Sequence, residues 1–199
     1  MSENKAKSLE GTKTQKNLAT AYLAESAAYS RYIFFSKQAE KEGYPQFAEI
    51  FEETANNELR HAKIYLQFLS EGNAKAPAME VDAGVIGKTI DNLKVAASEE
   101  EKEGVEMYTK AAKVAKEEGF DDIADKFEAI ATIEQHHRDR YLKMADLIEK
   151  GNVFKSETGK PIKWQCRVCG YIYEGVTPPK KCPACSHPTQ FFQREVELF

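Results

Sequence analysis

The sequence predicts a mainly α-helical protein, in which a bundle of four long helices precedes a small β-rich domain built around a metal knuckle. Residues 15–150 are rich in Ala, Glu, Lys and Leu and nearly free of proline, which favours helices. Residues beyond 160 contain all four cysteines, five of the seven prolines and the single tryptophan. We therefore expect two domains, a helical bundle at 1–152 and a metal-binding domain at 153–199.

Composition and charge narrow the class of protein. The 199-residue chain is 42% hydrophobic and 30% charged, as is typical of globular proteins. Its net charge of −4 argues against a nucleic-acid partner, because phosphate binding requires a positive surface. No apolar run reaches the roughly 18–20 residues of a membrane span, and the lysine-rich start lacks the apolar core of a secretory signal. We expect a cytoplasmic protein without a membrane partner.

The net charge averages two regions of opposite sign. Residues 1–154 carry 21 basic and 28 acidic side chains, a net charge of −7, whereas residues 155–199 carry 7 and 4, a net charge of +3. The change in charge coincides with the change in composition, which supports the boundary between the two domains.

Turn residues divide the front region into four predicted helices, at about 15–42, 45–70, 87–118 and 121–150. Short connections at Gly43 and Gly119 predict two antiparallel hairpins, and the segment at about 71–86 is long enough for a crossover connection. The hairpins are copies of one another, because 39–48 aligns with 115–124 and the same register continues without a gap to His61 and His137. Each copy is expected to bury one apolar face against the other.

Each predicted helix has ionisable residues at mid-length on its otherwise apolar face. Burying a carboxylate without a partner costs several kcal/mol, and these faces offer no lysine or arginine at that level. A cation is therefore expected among them, unless the faces are rotated and the residues are solvent-exposed. The residues concerned are Glu25, Glu58, His61, Glu100, Glu103, Glu134 and His137.

Two Glu-x-x-His motifs indicate what the cation is. A glutamate and a histidine three residues apart lie on the same side of one helical turn, which suits two ligands of one metal ion. Two such motifs, with one glutamate from each remaining helix, match the ligand set of di-iron and di-manganese carboxylate bundles. His136 lies one step off the buried face. In the third helix Glu99 and Glu101 are expected to be solvated, although the strict repeat of Glu25 selects Glu101.

The cysteines predict a second metal site. Two CxxC pairs in a chain without signs of secretion favour a tetrathiolate metal site over two disulfides. Gly170 and Pro183 provide the turns that direct backbone N–H groups at the sulfurs, which tunes a redox potential. Zinc would fit the same ligands as a structural ribbon, but a metal bundle in the same chain favours iron. The ligands are Cys166, Cys169, Cys182 and Cys185.

Together these motifs resemble the rubrerythrin family over essentially the whole chain. The resemblance implies a ferritin-like four-helix bundle with a crossover connection, followed by a rubredoxin-like domain. It implies a non-haem di-iron peroxidase that reduces hydrogen peroxide to water in oxidative-stress defence. Three iron ions per chain are implied, two in a di-iron centre and one in an Fe(SCys)₄ centre that delivers electrons, with zinc possible as a substitute.

The resemblance also implies a role for each residue of the bundle. Glu58 and Glu134 would bridge the irons, and Glu25 and Glu100 would be terminal ligands. His137 would bind one iron permanently, whereas the other iron would bind His61 throughout or exchange Glu103 for it on reduction. The resemblance further implies that Tyr32 and Tyr108 orient carboxylates through hydrogen bonds, although core packing explains both tyrosines equally well.

Partners follow from the resemblance as well. Electrons would come from an external NAD(P)H-linked reductase, because the chain has no glycine-rich dinucleotide fingerprint of its own. A homodimer or larger assembly is implied, in which the tail of one subunit serves the di-iron site of its neighbour. Two other functions stay open: a ferritin-like ferroxidase or iron-storage protein, which requires no tetrathiolate tail, and a structural zinc-ribbon interaction protein.

Overall fold

The computed structural model describes residues 7–69, 72–78 and 85–195, and for Glu103 the backbone alone. In these residues four helical rods form the bundle and three short strands form the tail. The rods are α1 (Lys13–Lys41), α2 (Pro45–Phe68), a third rod made of α3 (Thr89–Glu99), a π-helix (Glu100–Met107) and α4 (Tyr108–Glu117), and α5 (Asp121–Glu149). The predicted helical bundle is confirmed. The third predicted helix is present as one continuous rod, but the eight residues at its centre are π-helical, which the sequence did not predict.

The two hairpin turns are alike, as the repeat predicts. Gly43 and Gly119 have φ angles of +82° and +73°, a conformation that glycine adopts without a steric penalty. In each turn the following residue donates its N–H to a carbonyl five positions earlier, Tyr44 to Ala39 at 2.9 Å and Phe120 to Ala115 at 2.8 Å. These bonds satisfy carbonyl groups at the ends of α1 and α4. Tight turns of this kind place each pair of rods side by side.

The rods are connected with a crossover. The two hairpins pack against each other through α1 and the third rod and through α2 and α5. Hydrogen bonds join Tyr32 to Glu100 and Tyr108 to Glu25, so α1 and the third rod are antiparallel. Because α1 is also antiparallel to α2, the chain between α2 and α3 must return along the bundle, about 36 Å for a helix of 24 residues. Residues 70–71 and 79–84 of the predicted crossover segment lie outside the described residues.

The bundle core consists of two apolar clusters on either side of a polar layer. In one cluster Phe51 packs on Tyr141 with ring centroids 5.1 Å apart. In the other Phe127 packs on Tyr65 at 5.0 Å, and these rings occupy the repeat-equivalent positions. Buried aromatic pairs of this kind contribute both area and specific geometry. The polar layer between them therefore lies at mid-length of every rod.

The tail is a three-stranded antiparallel sheet, in which β1 (Ile162–Cys166) lies between β2 (Ile172–Gly175) and β3 (Phe192–Arg194). Trp164 is fully buried at its centre, and the indole N–H donates to the carbonyl of Gly175 at 2.9 Å. The sheet and its turns hold two of the cysteines in the small core. The predicted β-rich domain is confirmed.

The tail packs against the end of the bundle where α2 begins. Arg167, between the first two cysteines, donates to Glu49 of α2 at 2.6 Å and to Gln193 of β3 at 2.7 Å. Arg194 donates to the carbonyls of Asn152 and Lys155 in the connecting segment. Among the described residues, no helix combines the length and the hydropathy needed to cross a membrane.

Replacing Phe51 with alanine should lower the free energy of unfolding by about 3–5 kcal/mol, because the ring is fully buried and its removal leaves a cavity. Phe34 is the matched control, since its ring is 48% exposed on the same hairpin. Phe34→Ala should change stability by less than about 0.5 kcal/mol. Urea denaturation followed by circular dichroism measures both, and equal losses would contradict this description of the core.

Candidate metal centres

The polar layer contains two groups of possible metal ligands. Within each group, one ligand atom per residue lies within 4.8 Å of the others. The carboxylates of Glu58 and Glu134 belong to both groups, which is the arrangement expected of bridging ligands. The first group is Glu25, Glu58, His61 and Glu134, and the second is Glu58, Glu100, Glu134 and His137. The structure thus brings together six of the seven predicted residues, and the side chain of Glu103 lies outside the described residues.

Each histidine nitrogen faces several carboxylates at once. Nδ1 of His61 lies 2.9 Å from Glu58 and 3.0 Å from Glu134. Nδ1 of His137 lies 2.8 Å from Glu134 and 3.2 Å from Glu58. A single N–H can satisfy only one of these oxygens, whereas a metal ion binds several donors together. The convergence of these atoms therefore fits one metal ion in each ligand group, with Glu58 and Glu134 shared between the groups.

The charges of the layer also favour bound metal ions. The four carboxylates are at most 5% exposed, and Oε1 of Glu58 and of Glu134 accepts no aligned hydrogen bond from the described residues. Burial raises the pKa of Glu25 to about 8. Burial opposes protonation of His61, but hydrogen bonds with Glu134, Glu25 and Glu58 outweigh it and raise its pKa to about 12. Without a metal the layer must take up protons, so bound cations would remove a real electrostatic cost.

The π-helix explains which glutamate of the third rod enters the layer. Leu18 of α1 and Leu93 of the third rod occupy equivalent buried positions, and so do Tyr32 and Tyr108. The number of residues between the two tyrosines is one larger than the number between the two leucines. The third rod thus contains one extra residue between these points, and the wider π turn accommodates it. Glu25 therefore corresponds to Glu100, as predicted, and not to the residue that the strict repeat selects.

The neighbouring acidic residues differ from one another. Glu101 lies at the surface, with 41% of its side chain exposed, and pairs with Arg138. Glu99 is not solvated, which corrects the prediction: it is 9% exposed and pairs with Arg31 of α1. Its burial follows from the register, because Glu99 is equivalent to the buried Ala24 of α1 when Leu18 is aligned with Leu93. His136 is exposed, as its position off the buried face predicts.

Two tyrosines orient the carboxylates that belong to only one ligand group each. The hydroxyl of Tyr32 donates to Glu100 at 2.7 Å, and that of Tyr108 donates to Glu25 at 2.6 Å. Burial raises the pKa of both tyrosines well above the usual value, so each keeps the proton that it donates. Both rings also belong to the apolar clusters. The sequence could not separate these two roles, and the structure contains both.

Sequence reasoning missed two residues of the layer. Gly104 lies against Glu134, and a Cβ atom added to this glycine would stand 2.4 Å from Cγ of that glutamate. The side-chain amide of Asn57 lies 3.2 Å from Nε2 of His137 and so helps to orient the ring. A glycine within a charged helical segment was the available signal for the first, and the second had no signal in the sequence.

The cysteines form the second centre. All four thiols are free, and the sulfurs of Cys166 and Cys185 are 3.7 Å apart, those of Cys169 and Cys182 3.6 Å apart. A tetrahedral site with metal–sulfur bonds of about 2.3 Å has sulfur–sulfur distances of about 3.8 Å, whereas a disulfide requires about 2 Å. The spacing thus fits a tetrathiolate metal site, and the choice between iron and zinc rests on other grounds.

Backbone groups support the sulfurs, as the turns predict. Burial raises the pKa of Cys182, but the N–H groups of Cys185 and Ala184 and the neighbouring thiols lower it to about 7. The N–H of Tyr171, after the turn at Gly170, is directed at Cys169. Donors of this kind stabilise the thiolate form that binds metals.

Comparison with known proteins identifies the family. The family model described as rubrerythrin matches residues 16–145, and the model described as the rubredoxin-like domain of rubrerythrin matches residues 164–193. The chain belongs to the rubrerythrin family. Among its relatives, the rubrerythrin of Porphyromonas gingivalis is 46% identical over 94% of this chain and 92% of its own length. The rubrerythrin of Nitratidesulfovibrio vulgaris is 44% identical over 94% of this chain and 96% of its own length.

Solved structures confirm the ferritin-like fold of this rubrerythrin. The fully reduced, all-ferrous state of nigerythrin is 29% identical, with a TM-score of 0.62 over 94% of this chain and 91% of that chain. The bacterioferritin BfrA of Mycobacterium tuberculosis has a TM-score of 0.57 over 69% of this chain and 86% of that chain. At 17% identity the second comparison concerns the fold alone.

Gly104→Ala should displace Glu134 and reduce the affinity of the bundle for metal by about 10–100-fold, the usual effect of disturbing the surroundings of a ligand. Gly87→Ala is the control, because a Cβ atom there comes no closer than 3.4 Å to other atoms. Titration of each metal-free variant with Co²⁺, in a Cys166→Ser/Cys182→Ser background that removes the tail site, measures the affinity by visible absorbance. Unchanged affinity in Gly104→Ala would contradict the close approach of the third rod.

Metal binding to the bundle should raise the melting temperature of the metal-free rubrerythrin by about 5–10 °C at 100 times the dissociation constant, since the ions neutralise buried carboxylates. The experiment uses Cys166→Ser/Cys182→Ser, so that the tail does not contribute. Glu134→Ala in the same background should lose most of the shift, because this carboxylate belongs to both ligand groups. A full shift in that variant would show that the ions bind elsewhere.

Proposed function

We propose that this rubrerythrin is a non-haem di-iron peroxidase that reduces hydrogen peroxide to water. One observation carries the proposal: two ligand groups share Glu58 and Glu134, and a cavity of about 20 Å³ lies directly against both. This volume accommodates a molecule about the size of water. A small substrate such as hydrogen peroxide therefore suits the site better than a bulky one.

The ligand chemistry supports iron in the bundle. The first ion would be held by Glu25, His61 and the two shared carboxylates, and the second by Glu100, His137 and the same pair, the roles that the resemblance implies. Carboxylate and imidazole ligands suit iron, and two buried histidines with four glutamates form a set that redox iron uses. When iron is bound, the pair supplies one electron from each ion and stabilises the oxygen that leaves as the O–O bond breaks.

The residues around the ligands hold the site in place. Tyr32 and Tyr108 donate hydrogen bonds to the two terminal carboxylates and so keep them aimed at the layer. The aromatic clusters on both sides exclude bulk water, which strengthens every electrostatic interaction inside. Exchange of Glu103 for His61 between oxidation states stays a prediction from the family.

The tail supports a role in electron delivery. Its four thiols suit an Fe(SCys)₄ centre, and backbone N–H groups directed at sulfur tune its potential. We propose three iron ions per chain, domains at 1–152 and 153–199, and an external NAD(P)H-linked reductase as the donor. Action in the cytoplasm also stays a prediction.

Distance favours a partner subunit for the last electron step. The tail contacts Glu49, and Glu58 lies nine residues further along α2, about 13.5 Å at the rise of an α-helix. We propose a homodimer or larger assembly, in which the basic tail of one subunit approaches the acidic bundle of its neighbour.

The test combines metal analysis with turnover. The iron-loaded protein should contain three iron ions per chain, show the red colour of ferric tetrathiolate, and consume hydrogen peroxide when a reductase and NADH are present. Cys166→Ser should abolish reductase-dependent turnover but still allow one peroxide to oxidise a chemically reduced bundle. Glu103→Ala should lower turnover by at least about tenfold.

Glu49→Gln is a control for these variants, because it changes a carboxylate of α2 that lies outside the ligand groups of the bundle. It should leave oxidation of the reduced bundle unchanged. Iron uptake into a mineral core without peroxide turnover would contradict the proposal in favour of storage. A colourless protein with zinc in the tail would contradict the electron-delivery role.

A further inference from the structure

The small cavity beside the ligand groups lies between α1 and the π-helix. Ala24 and Ala28 of α1 form one wall, and Gly104 of the π-helix forms part of the other. Because these residues are small, a space remains between the two elements. The carboxylates of both ligand groups line the bottom of this space. A substrate that reaches the layer from this side must therefore pass between α1 and the third rod.

One residue of the cavity wall has no role among the ligands. Glu99 lines the cavity and is 9% exposed, yet it belongs to neither ligand group. The alignment of Leu18 with Leu93 holds as far as the π-helix. In this alignment the residue of α1 that is equivalent to Glu99 is Ala24. At this position α1 therefore has the small side chain of Ala24, whereas the third rod has the buried carboxylate of Glu99. Packing of the bundle alone does not require a carboxylate there.

An arginine holds this carboxylate from the outside. Arg31 of α1 pairs with Glu99 across the gap between the two rods, and 20% of its side chain reaches solvent. The ion pair thus joins the two elements that enclose the cavity and stands between the cavity and water. Both side chains are long and unbranched, so they can turn aside without moving the helices.

We propose that Glu99, held by Arg31, closes the cavity toward solvent and determines which peroxides enter. This inference rests on the proposed peroxidase function and adds a specificity-determining residue to it. Hydrogen peroxide fits the closed space, whereas an alkyl hydroperoxide does not, because its carbon atoms would occupy the volume of the Glu99 side chain. Arg31 acts as a positioning residue for this carboxylate.

The same segment provides a matched control. Glu101 forms a comparable ion pair with Arg138 of α5, but its side chain is 41% exposed and does not line the cavity. Loss of Glu101 removes the same charge two residues away without opening the cavity. An effect that is confined to Glu99 would therefore reflect its place in the wall.

The experiment compares Glu99→Ala and Glu101→Ala with the wild-type iron-loaded protein. The first readout is the ratio of kcat/KM for tert-butyl hydroperoxide to that for hydrogen peroxide, which should rise about tenfold or more in Glu99→Ala. The second is the rate at which azide binds the resting site, followed by stopped-flow absorbance without turnover. It should also rise at least about tenfold, because an open cavity with Arg31 unpaired attracts a small anion.

Several outcomes would overturn the proposal. One is that neither readout rises in Glu99→Ala. Another is that only one readout rises, since a single opening must admit both probes. The third is that both readouts rise equally in Glu101→Ala. If Glu99→Ala does not fold, Glu99→Ser takes its place with the same expected rises, and Glu99→Gln, which keeps the size of the side chain, should leave both readouts within about twofold of the wild type. If the wild type does not reduce hydrogen peroxide, the proposed function fails, and azide binding still tests the closure.

Discussion

The structure depends on the free energy of four carboxylates buried at the centre of a helical bundle. Without compensation each would cost several kcal/mol, and no lysine or arginine side chain faces them in the described part of the chain. His61 and His137 supply protons in the metal-free chain, but their nitrogens face more oxygens than they can satisfy. Every rod contributes to the layer, so binding of cations there couples all four to one another.

The π-helix explains how a chain with two copies of one hairpin forms a site whose two sides differ. Two identical hairpins would place equivalent residues at both ligand groups. His61 and His137 follow this rule, because they are separated by the same number of residues as the two hairpin turns. One extra residue in the third rod shifts this register, and it brings Glu100, Gly104 and Tyr108 to the layer together. Gly104 is required there because the rod approaches Glu134 too closely for any side chain. The inserted residue thus gives the two sides of the layer different walls.

Sequence patterns predicted most of this site, and physical reasons limit the rest. The Glu-x-x-His motifs stand on strongly apolar faces, so their burial follows from helical periodicity. The third rod is rich in alanine and charge, and its periodicity is too weak to reveal one additional residue. Glu99 was therefore expected at the surface, although the shifted register buries it against Arg31. The cysteine site was predictable from spacing alone, since its ligands come from two local turns.

The two candidate metal centres are built in different ways. The cysteine site is assembled from two tight turns, and Cys169 is exposed, which suits the proposed docking of an external electron donor. The bundle site is assembled from four rods and lies between two apolar clusters, which suits the proposed small substrate. Arg167 fixes the tail beside the first turns of α2, about two and a half helical turns before Glu58. The tail thus lies at one end of the bundle while the ligand groups lie at its centre, and for this reason the proposed function includes a second subunit that receives the electron.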